Sequence, residues 1–330
     1  MTEFAFSVEG LSPQLLAAYA ASGMERGKSG APAIHWAFDN NENAFSVARL
    51  NGQIVGISSY IKSSMKLGSA HGTGFQAVDS YVAPEMRGRG LFTQLAETYA
   101  THLKNEGADL VWGFPNDNAA PAWFSKLGWT KFGQTPFLIK PLRAGYFLRK
   151  FHLFGDFPVS FGQDQDLQSI NATGEWVDEV WDRFSAHIEC ATIRDQSFLN
   201  HRLFDCPQRS DYRVVANENS TDGALVATRE AHKHGGKIAY LMEAFGGPSL
   251  CGVLTSEMAR LRGNGTELAL AWAYPWSPNY KALRRCGFVP LPERLRPITI
   301  WFGAMAFSSR ATSAMDPSSW YLSYLDSDTV

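Results

Sequence analysis

Length, composition and charge limit what kind of protein this chain can be. The chain has 330 residues, 45% of them hydrophobic, which is more than one core usually holds and predicts two domains. The formal net charge of −2 argues against a nucleic-acid-binding protein. Residues 1–4 lack the basic start of a secretory signal, and no apolar run approaches membrane-spanning length. We therefore predict a cytoplasmic protein without a membrane span.

The cysteines favour a reduced protein without a metal site. All four lie in the second half of the chain and lack C-x-x-C spacing: Cys190, Cys206, Cys251 and Cys286. Such scattered cysteines are typical of core thiols rather than of a disulfide framework or a zinc site. We expect no metal.

The most informative segment is residues 82–91, where an apolar strand end runs into a basic, glycine-rich turn that opens a helix. Two glycines let the backbone approach an anion closely, and the N–H groups of the first helical turn have no partner within the helix. Arg87 and Arg89 add positive charge. The pattern predicts a site for a pyrophosphate, and hence for a nucleotide-like cofactor.

The elements after this turn follow a regular order. Apolar residues recur at helical spacing over residues 91–103, and Gly107 marks the end of that helix. Residues 110–114 read as a short apolar strand. Residues 115–129 predict a helix that is capped by Asn or Asp and has Pro121 in its first turn. A glycine ends this helix and leads into another strand.

This order closely resembles the acyl-CoA-binding core of the GNAT superfamily, the Gcn5-related N-acyltransferases. The first hallmark is V-x-P-x-x-R-G-x-G from Val82 to Gly90, and the second is Leu127-Gly128-Trp129, where the family usually has Leu-Gly-Phe. The resemblance implies an α/β fold with a mixed sheet, acyl-CoA as co-substrate, and direct acyl transfer to a primary amine. The cofactor-binding residues that it implies are Tyr81, Val82, Arg87, Gly88, Arg89, Gly90, Leu91, Asn116, Asn118 and Phe124.

The chain departs from the family pattern at two positions. Phe92 stands where a second small residue commonly follows, which narrows the space beside the phosphates. Phe124 stands where many relatives have a tyrosine thought to protonate the departing thiolate, so the usual general acid is missing. Asn116 and Asn118 either contact the pantetheine arm or acceptor, or cap a helix, and the residues leave both roles open.

Acyl transfer to an amine needs a base, because an ammonium has no lone pair with which to attack. Asp79 is the first candidate since it lies on the same strand, three residues before Val82. His35 and His71 come next, because imidazole titrates near neutral pH. Each candidate also has a purely structural interpretation. Asp79 could belong to a hydrogen-bond network, His35 could be fixed in the core, and His71 could lie in an exposed turn. The resemblance also implies a backbone N–H near Val82 as donor to the thioester oxygen.

An internal repeat spans the two halves of the chain. Residues 35–39 are echoed by 201–205, and residues 115–129 by 275–288. The second copy has no arginine in its turn at residues 243–250, where a proline also removes an N–H donor. We predict a tandem GNAT fold whose second copy is degenerate and cannot hold CoA. That copy either helps to close the acceptor pocket or serves only as packing.

The predicted boundaries are a catalytic, CoA-binding domain at 1–140, a linker at 141–165, a degenerate GNAT-like domain at 166–310 and a tail at 311–330. The linker mixes basic and aromatic residues that could touch a membrane surface or a nucleotide, but a linker helix packed across the two domains is the favoured interpretation. Aromatic residues near the end of the tail predict that its last turn docks.

The acceptor is indicated by resemblance alone. Phe114-Pro115-Asn116 and the segment from Arg194 to Arg202 look like bacterial acyltransferases of surface-polysaccharide synthesis. That likeness implies acylation of a dTDP- or UDP-linked amino-deoxysugar with an acetyl or 3-hydroxybutanoyl group. Two alternatives stay open. One is a tandem enzyme acting on an antibiotic or small metabolite amine, and the other is a non-catalytic acyl-CoA sensor, suggested by Phe124.

Overall fold

The chain folds into two compact units, each built on one sheet. The computed structural model describes residues 3–39, 41–159, 167–233, 235–296 and 298–327. The first unit comprises Met1–Gln134 and Thr299–Ser319, and the second comprises Thr135–Ile298 and Trp320–Val330.

Strands and helices both occur in each unit. The strands are β1 Ala5–Glu9, β2 Phe45–Leu50, β3 Gln53–Leu67, β4 Ala70–Val82, β5 Leu110–Gly113, β6 Thr130–Gln134, β7 Phe137–Pro141, β8 Cys190–Thr192, β9 Tyr212–Asn217, β10 Ala224–Lys233, β11 Gly236–Gly246, β12 Leu268–Trp272, β13 Val289–Pro290 and β14 Trp301–Ala306. The helices are α1 Pro13–Ala21, α2 Glu25–Lys28, α3 Ala31–Phe38, α4 Leu91–Asn105, α5 Ala120–Ser125, α6 Gly145–Lys150, α7 Trp176–Phe184, α8 Gln196–Leu199, α9 Leu250–Gly263 and α10 Tyr280–Arg285.

The first unit has the strand order β1-β2-β3-β4-β5-β14-β6. β4 and β5 are parallel and the other neighbours are antiparallel, which makes the sheet mixed and confirms the predicted fold class. α4 buries the predicted apolar face and is followed by Gly107 at φ +71°. The predicted helix, its end and the strand after it are therefore confirmed.

The second unit has the strand order β13-β7-β12-β11-β10-β9. β11 and β12 are parallel, and α9 lies between them in the chain, as α4 lies between β4 and β5. α10 then follows β12 as α5 follows β5. The second unit thus repeats the β-α-β-α order of the first.

The compact units divide the chain differently from the predicted boundaries at 140 and 310. β7 pairs with β12 and therefore belongs to the second unit, although four of its five residues lie within the predicted first domain, 1–140. β14 pairs with β5 and β6 and belongs to the first unit. The physical reason is that each strand satisfies its backbone hydrogen bonds in a sheet distant from its sequence neighbours.

The segment predicted as a packed linker helix is different in the structure. α6 is short, and several of the large apolar side chains that follow it are exposed. Residues 160–166 lie outside the described residues. The predicted docking of the tail is confirmed, because Trp320, Tyr321, Tyr324 and Leu325 are all buried.

Three further findings bear on the predicted class. Among the described residues, no helix is both long enough and apolar enough to cross a bilayer. In the same part of the chain, no group of three or more His, Cys, Asp and Glu side chains is placed to hold a metal ion. The four cysteines are free thiols, and Cys251 and Cys286 lie with their Sγ atoms 3.3 Å apart.

Candidate functional site

The turn between β4 and α4 has the backbone of an anion site. Gly88 and Gly90 have φ of +78° and +76°. This is a left-handed backbone conformation that residues other than glycine adopt only at an energetic cost. Arg87 and Arg89 are exposed on the same turn. The Gln94 N–H donates to the Gly90 carbonyl, so the three N–H groups before it have no acceptor within the helix. The turn therefore offers unpaired backbone donors and two cations at one helix N-terminus.

β4 and β5 separate next to this turn. Their parallel pairing ends at Ala77 and Gly113, whereas β4 continues for five more residues to Val82. Past Gly113 the chain turns towards β14, where the Trp301 N–H donates to the Pro115 carbonyl at 3.0 Å. The divergence opens a cleft along one edge of β4.

Backbone donors of β4 point into this opening. The Ala83 N–H donates to the Val55 carbonyl of β3 at 2.9 Å, while Val82 lies opposite Gly56. Successive N–H groups of a strand point to opposite sides, so the Val82 N–H points away from β3. Ser80, which lies opposite Ser58, is two residues before Val82, so its N–H also points away from β3. These two donors face the side from which β5 has departed.

A bulge in β4 places Asp79 on the wall of the cleft. The register runs from Ser58 opposite Ser80 to Tyr60 opposite Ala77, so β4 has one more residue here than β3. Ser59 Oγ donates to the Asp79 backbone carbonyl at 2.9 Å, and this hydrogen bond stabilises the bulge. A bulge re-aims the side chain next to it.

Two side chains from the N-terminal helices hold the Asp79 carboxylate. The Tyr19 hydroxyl of α1 donates a short hydrogen bond to Asp79 Oδ2, and Arg26 Nη1 of α2 lies 3.2 Å from the same oxygen. Burial and the neighbouring carboxylate raise the pKa of Tyr19, so the phenol stays protonated and acts as a donor. The Asp79 side chain is still 20% exposed, so it remains within reach of a ligand in the cleft.

The cleft has a volume of about 280 Å³. Asp79, Phe92 and Asn116 line it together with Met24 and Trp123. A smaller cavity of about 200 Å³ lies under α4, but its lining includes neither Asp79 nor the arginine turn. The lining of the cleft does not include the arginine turn either, but it contains Asp79 and Ser80 of β4 and Phe92 of α4, the helix that this turn opens.

Comparison with known proteins agrees with this geometry. Residues 31–132 match the family model described as Acetyltransferase (GNAT) domain. The chain carries a GNAT acetyltransferase domain. It is accordingly an acyl-CoA N-acyltransferase, as the sequence predicted. No curated protein matches the sequence significantly.

Solved structures share the fold at low sequence identity. N-myristoyltransferase from Saccharomyces cerevisiae with bound myristoyl-CoA has a TM-score of 0.58 and 10% identity, with 92% of this chain and 83% of that chain covered. A GCN5-related N-acetyltransferase from Anabaena variabilis has a TM-score of 0.65 and 9% identity, covering 93% and 73%. One from Kribbella flavida has a TM-score of 0.60 and 12% identity, covering 92% and 72%. These likenesses concern the fold alone.

The GNAT domain brings Asp79 to the cleft but not the two candidate histidines. His35 lies on the exposed side of α3, where its Nδ1 is 2.8 Å from Asp39 Oδ1. His71 lies at the start of β4, eight residues before Asp79 and opposite Lys66. Eight strand residues span roughly 26 Å, so His71 is near the other end of the strand.

The predicted cofactor residues of the GNAT domain divide into two groups. The turn and Val82 lie in the chain between the lining residues Ser80 and Phe92 but do not themselves line the cleft, whereas Tyr81, Val82 and the buried Leu91 pack in apolar clusters. Asn116 lines the cleft, and its Oδ1 accepts from the Asn118 and Ala119 N–H groups, so it is also a cap. Asn118 is exposed. The Phe124 ring lies against Gly303 of β14, and Phe124 is not among the residues that line the cleft.

Sequence reasoning missed three residues at the site, of which Trp123 lines the cleft and the other two contact Asp79. Tyr19 and Arg26 hold Asp79 but lie 60 and 53 residues away from it in the chain, and no local pattern signals such a contact. Trp123 lines the cleft and packs edge-on against Phe92, with ring centroids 5.3 Å apart. The one available signal was the bulky Phe92, which the family pattern marks as unusual.

The corresponding turn of the second unit differs in its hydrogen bonds. The Gly247 N–H donates to the Gly223 carbonyl at 2.8 Å, and the Ser249 N–H donates to an Asp222 carboxylate oxygen at 2.8 Å. An acidic side chain thus takes up a donor that an anion would need. This turn is therefore poorly suited to a diphosphate.

The second unit also has a carboxylate on its long strand, but this one is enclosed. Glu243 of β11 is fully buried and accepts from Arg194, Tyr321 and Ser323. Arg194 belongs to the segment that suggested a polysaccharide enzyme. Its burial means that Arg194 holds the fold of this unit together rather than contacting a substrate.

Proposed function

We propose that the protein transfers an acyl group, of acetyl or 3-hydroxybutanoyl type, from acyl-CoA to the amine of a dTDP- or UDP-linked amino-deoxysugar. The observation that carries acyl transfer is the cleft beside β4, with Asp79 on its wall and with lining residues Ser80 and Phe92 on either side of the Arg87–Gly90 turn in the chain. Phe114, Pro115 and Asn116, which suggested the sugar class, line this cleft. We place the reaction in the cytoplasm, where acyl-CoA is available.

Each step of the proposed reaction is assigned to a group at the cleft. The glycine turn and its arginines bind the diphosphate of CoA. The Val82 N–H, which points away from β3, donates to the thioester oxygen as negative charge develops there. Asp79 takes the proton from the ammonium, directly or through one water. The sulfur leaves as a thiolate without a tyrosine acid, because a thiol has a pKa of about 8.5.

The base assignment is tested by Asp79→Asn. We expect kcat to fall by about 10²–10⁴, with little change in the affinity for acyl-CoA, because the amide cannot accept the proton. The loss should shrink as the pH rises, since the amine then loses its proton without help. Release of free thiol from acetyl-CoA, measured across a pH series with an amino-sugar nucleotide, gives this profile.

His35→Gln and His71→Gln are matched controls for the same assay. Both change a titratable side chain that the structure places outside the cleft, so turnover should stay within about twofold of the parent. If Asp79→Asn keeps the parental pH profile, Asp79 is not the base. If one of the histidine variants instead loses turnover, the base has been assigned to the wrong residue.

We further propose that the chain is a tandem GNAT protein with one CoA site. The repeated β-α-β-α order supports the tandem form, and the occupied donors at Gly247 and Ser249 support a single site. Titration calorimetry with CoA should give a stoichiometry near one per chain. Arg87→Glu should weaken CoA binding at that site, and the titration of the variant should show no second, tighter site. A stoichiometry near two would contradict the degenerate second copy.

Turnover also separates the enzyme from its alternatives. Thiol release with an amino-sugar nucleotide, and not with aminoglycoside or small metabolite amines, supports the proposed acceptor. The reverse preference would assign the protein to antibiotic or metabolite acylation. Tight acyl-CoA binding without thiol release for any amine would favour a sensor.

A further inference from the structure

Two cysteines of the second unit lie in contact although they are 35 positions apart in the chain. Cys251 is the second residue of α9, and Cys286 directly follows the last residue of α10. Their Sγ atoms are 3.3 Å apart, and both thiols are free. A disulfide bond is about 2.05 Å long, so a movement of roughly 1.3 Å, within reach of side-chain rotation, would close the pair.

The backbone that carries each thiol is held in place. Thr255 Oγ1, one turn further along α9, donates to the Cys251 carbonyl at 2.7 Å and lies 3.6 Å from Cys286 Sγ. On the other side, Lys140 Nζ of β7 donates to the Cys286 carbonyl, and the Cys286 N–H donates to the Ala282 carbonyl at 2.9 Å. These hydrogen bonds keep the two thiols next to each other.

The pair is a feature of the second unit and is not repeated in the first. Counted from the first residue of α9 and of α4, Cys251 corresponds to Phe92. Counted from the glycine that follows α10 and α5, Cys286 corresponds to Leu127. Phe92 and Leu127 pack in the same apolar cluster. The second unit thus has two thiols in contact where the first has two apolar side chains, which adds redox chemistry to a packing position.

The two thiols differ in exposure, and this difference gives them different roles. Cys286 is 8% exposed, whereas Cys251 is half-buried. Burial raises the pKa of the Cys286 thiol to about 11, so that thiol is protonated near neutral pH. Oxidation of a cysteine requires a thiolate that the oxidant can reach. Cys251 is therefore the thiol that meets an oxidant first, and Cys286 is the one that reacts with the product.

We propose that Cys251 and Cys286 form a reversible oxidation site, which closes to a disulfide on reaction with a hydroperoxide. The bond would tie the start of α9 to the end of α10. Disulfides of intracellular proteins are usually transient and redox-sensing, which agrees with the free thiols of this pair. The proposal is independent of the acceptor and of acyl transfer itself.

The chemistry has two steps. The Cys251 thiolate attacks one oxygen of hydrogen peroxide, the O–O bond breaks, and the departing hydroxide takes up the thiol proton as water, which leaves a sulfenic acid on Cys251. Cys286 Sγ then attacks the sulfenic sulfur and forms the S–S bond, while its proton and the sulfenic hydroxyl leave as a second water. The two thiols lose two electrons, and the peroxide gains them. Exchange with an external dithiol restores both thiols.

The test is a colorimetric thiol titration of the full chain, unfolded after treatment with a limiting dose of hydrogen peroxide. The untreated parent contains four cysteines, so it should give four thiols. We expect two thiols after peroxide and four again after dithiothreitol. Mass spectrometry of a non-reducing digest should find the peptides of Cys251 and Cys286 joined.

Three serine variants assign the reacting residues. Cys251→Ser should keep its remaining thiols at the same dose, because Cys286 is buried. Cys286→Ser should stop at the sulfenic acid of Cys251, which dimedone labels. Cys206→Ser is the matched control, since Cys206 is a buried free thiol outside the pair, and it should still lose two thiols. Cys251→Ser alone decides the assignment if Cys286→Ser does not fold.

Three outcomes would overturn the proposal. The first is a parent that keeps four thiols at a dose that oxidises free cysteine. The second is a Cys251→Ser variant that loses two thiols, because the oxidised pair would then lie elsewhere. The third is a disulfide-linked dimer on a non-reducing gel in place of the internal bond, because oxidation would then join two chains.

Discussion

Replacing Arg87 with glutamate is expected to weaken CoA binding by about tenfold to a hundredfold. A hydrogen bond to a charged group contributes about 1.5–3 kcal/mol, and the variant also puts a negative charge beside the diphosphate. Arg87 is exposed, so its replacement should not disturb the core. Titration calorimetry with CoA measures the change. Arg183→Glu makes the same change of charge on the exposed face of α7 and should leave the affinity unaltered.

Gly88→Ala tests the backbone contribution of the same turn. At φ +78° the new Cβ contacts nothing within 4 Å, so the variant acts through backbone strain rather than a clash. The turn should relax away from its anion-binding form and lose about tenfold in CoA affinity. Gly107→Ala is the matched control, because Gly107 has φ +71° and equally open space at the other end of α4. Equal CoA affinity in the two variants would contradict the role of the turn.

The largest effect on stability is expected for Arg194→Met. Arg194 is fully buried, with Nε 3.0 Å from Glu243 Oε2 and Nη2 bonded to Asp326. Burial alone would lower the pKa of Arg194, but the Asp326 and Glu243 carboxylates outweigh it and raise the pKa well above its usual value. Without the guanidinium, two buried carboxylates lose their cation. We expect the free energy of unfolding to fall by about 3–5 kcal/mol.

Urea unfolding followed by fluorescence measures this loss. The loss should shrink as the pH falls, because the folded variant can then take up protons on its unpaired carboxylates and so bind more protons than the unfolded chain. Arg183→Met is the control, since Arg183 forms an exposed pair with Glu179 at 3.9 Å, which should contribute less than about 0.5 kcal/mol. A loss for Arg194→Met no larger than the control's would mean that the buried cluster contributes nothing net.

The elements around the glycine turn could be predicted because their signals are local. The spacing of Leu91, Leu95, Tyr99 and Leu103 sets the buried face of α4, and Gly107 ends that helix at a positive φ. Gly88 and Gly90 likewise adopt the left-handed backbone that their lack of a Cβ permits. Each of these features depends on residues within one or two helical turns.

The surroundings of Asp79 could not be predicted in the same way. Its position on β4 follows from the sequence, but the bulge that turns it to the cleft depends on the register with β3. Its partners, Tyr19 and Arg26, come from helices more than fifty residues earlier. The placement of His35 and His71 outside the cleft also depends on packing. The sequence around a histidine does not show whether its imidazole will lie inside or outside a cleft.

The sequence by itself determined the glycine turn, the helix that follows it and the GNAT resemblance, because steric and hydrogen-bond preferences of neighbouring residues suffice for these. Only the tertiary structure decided which sheet β7 and β14 complete, what holds Asp79, and that Arg194 is enclosed. Those outcomes depend on pairing between distant segments. Such pairing depends on burial and hydrogen bonding across the whole fold, which no short stretch of sequence determines.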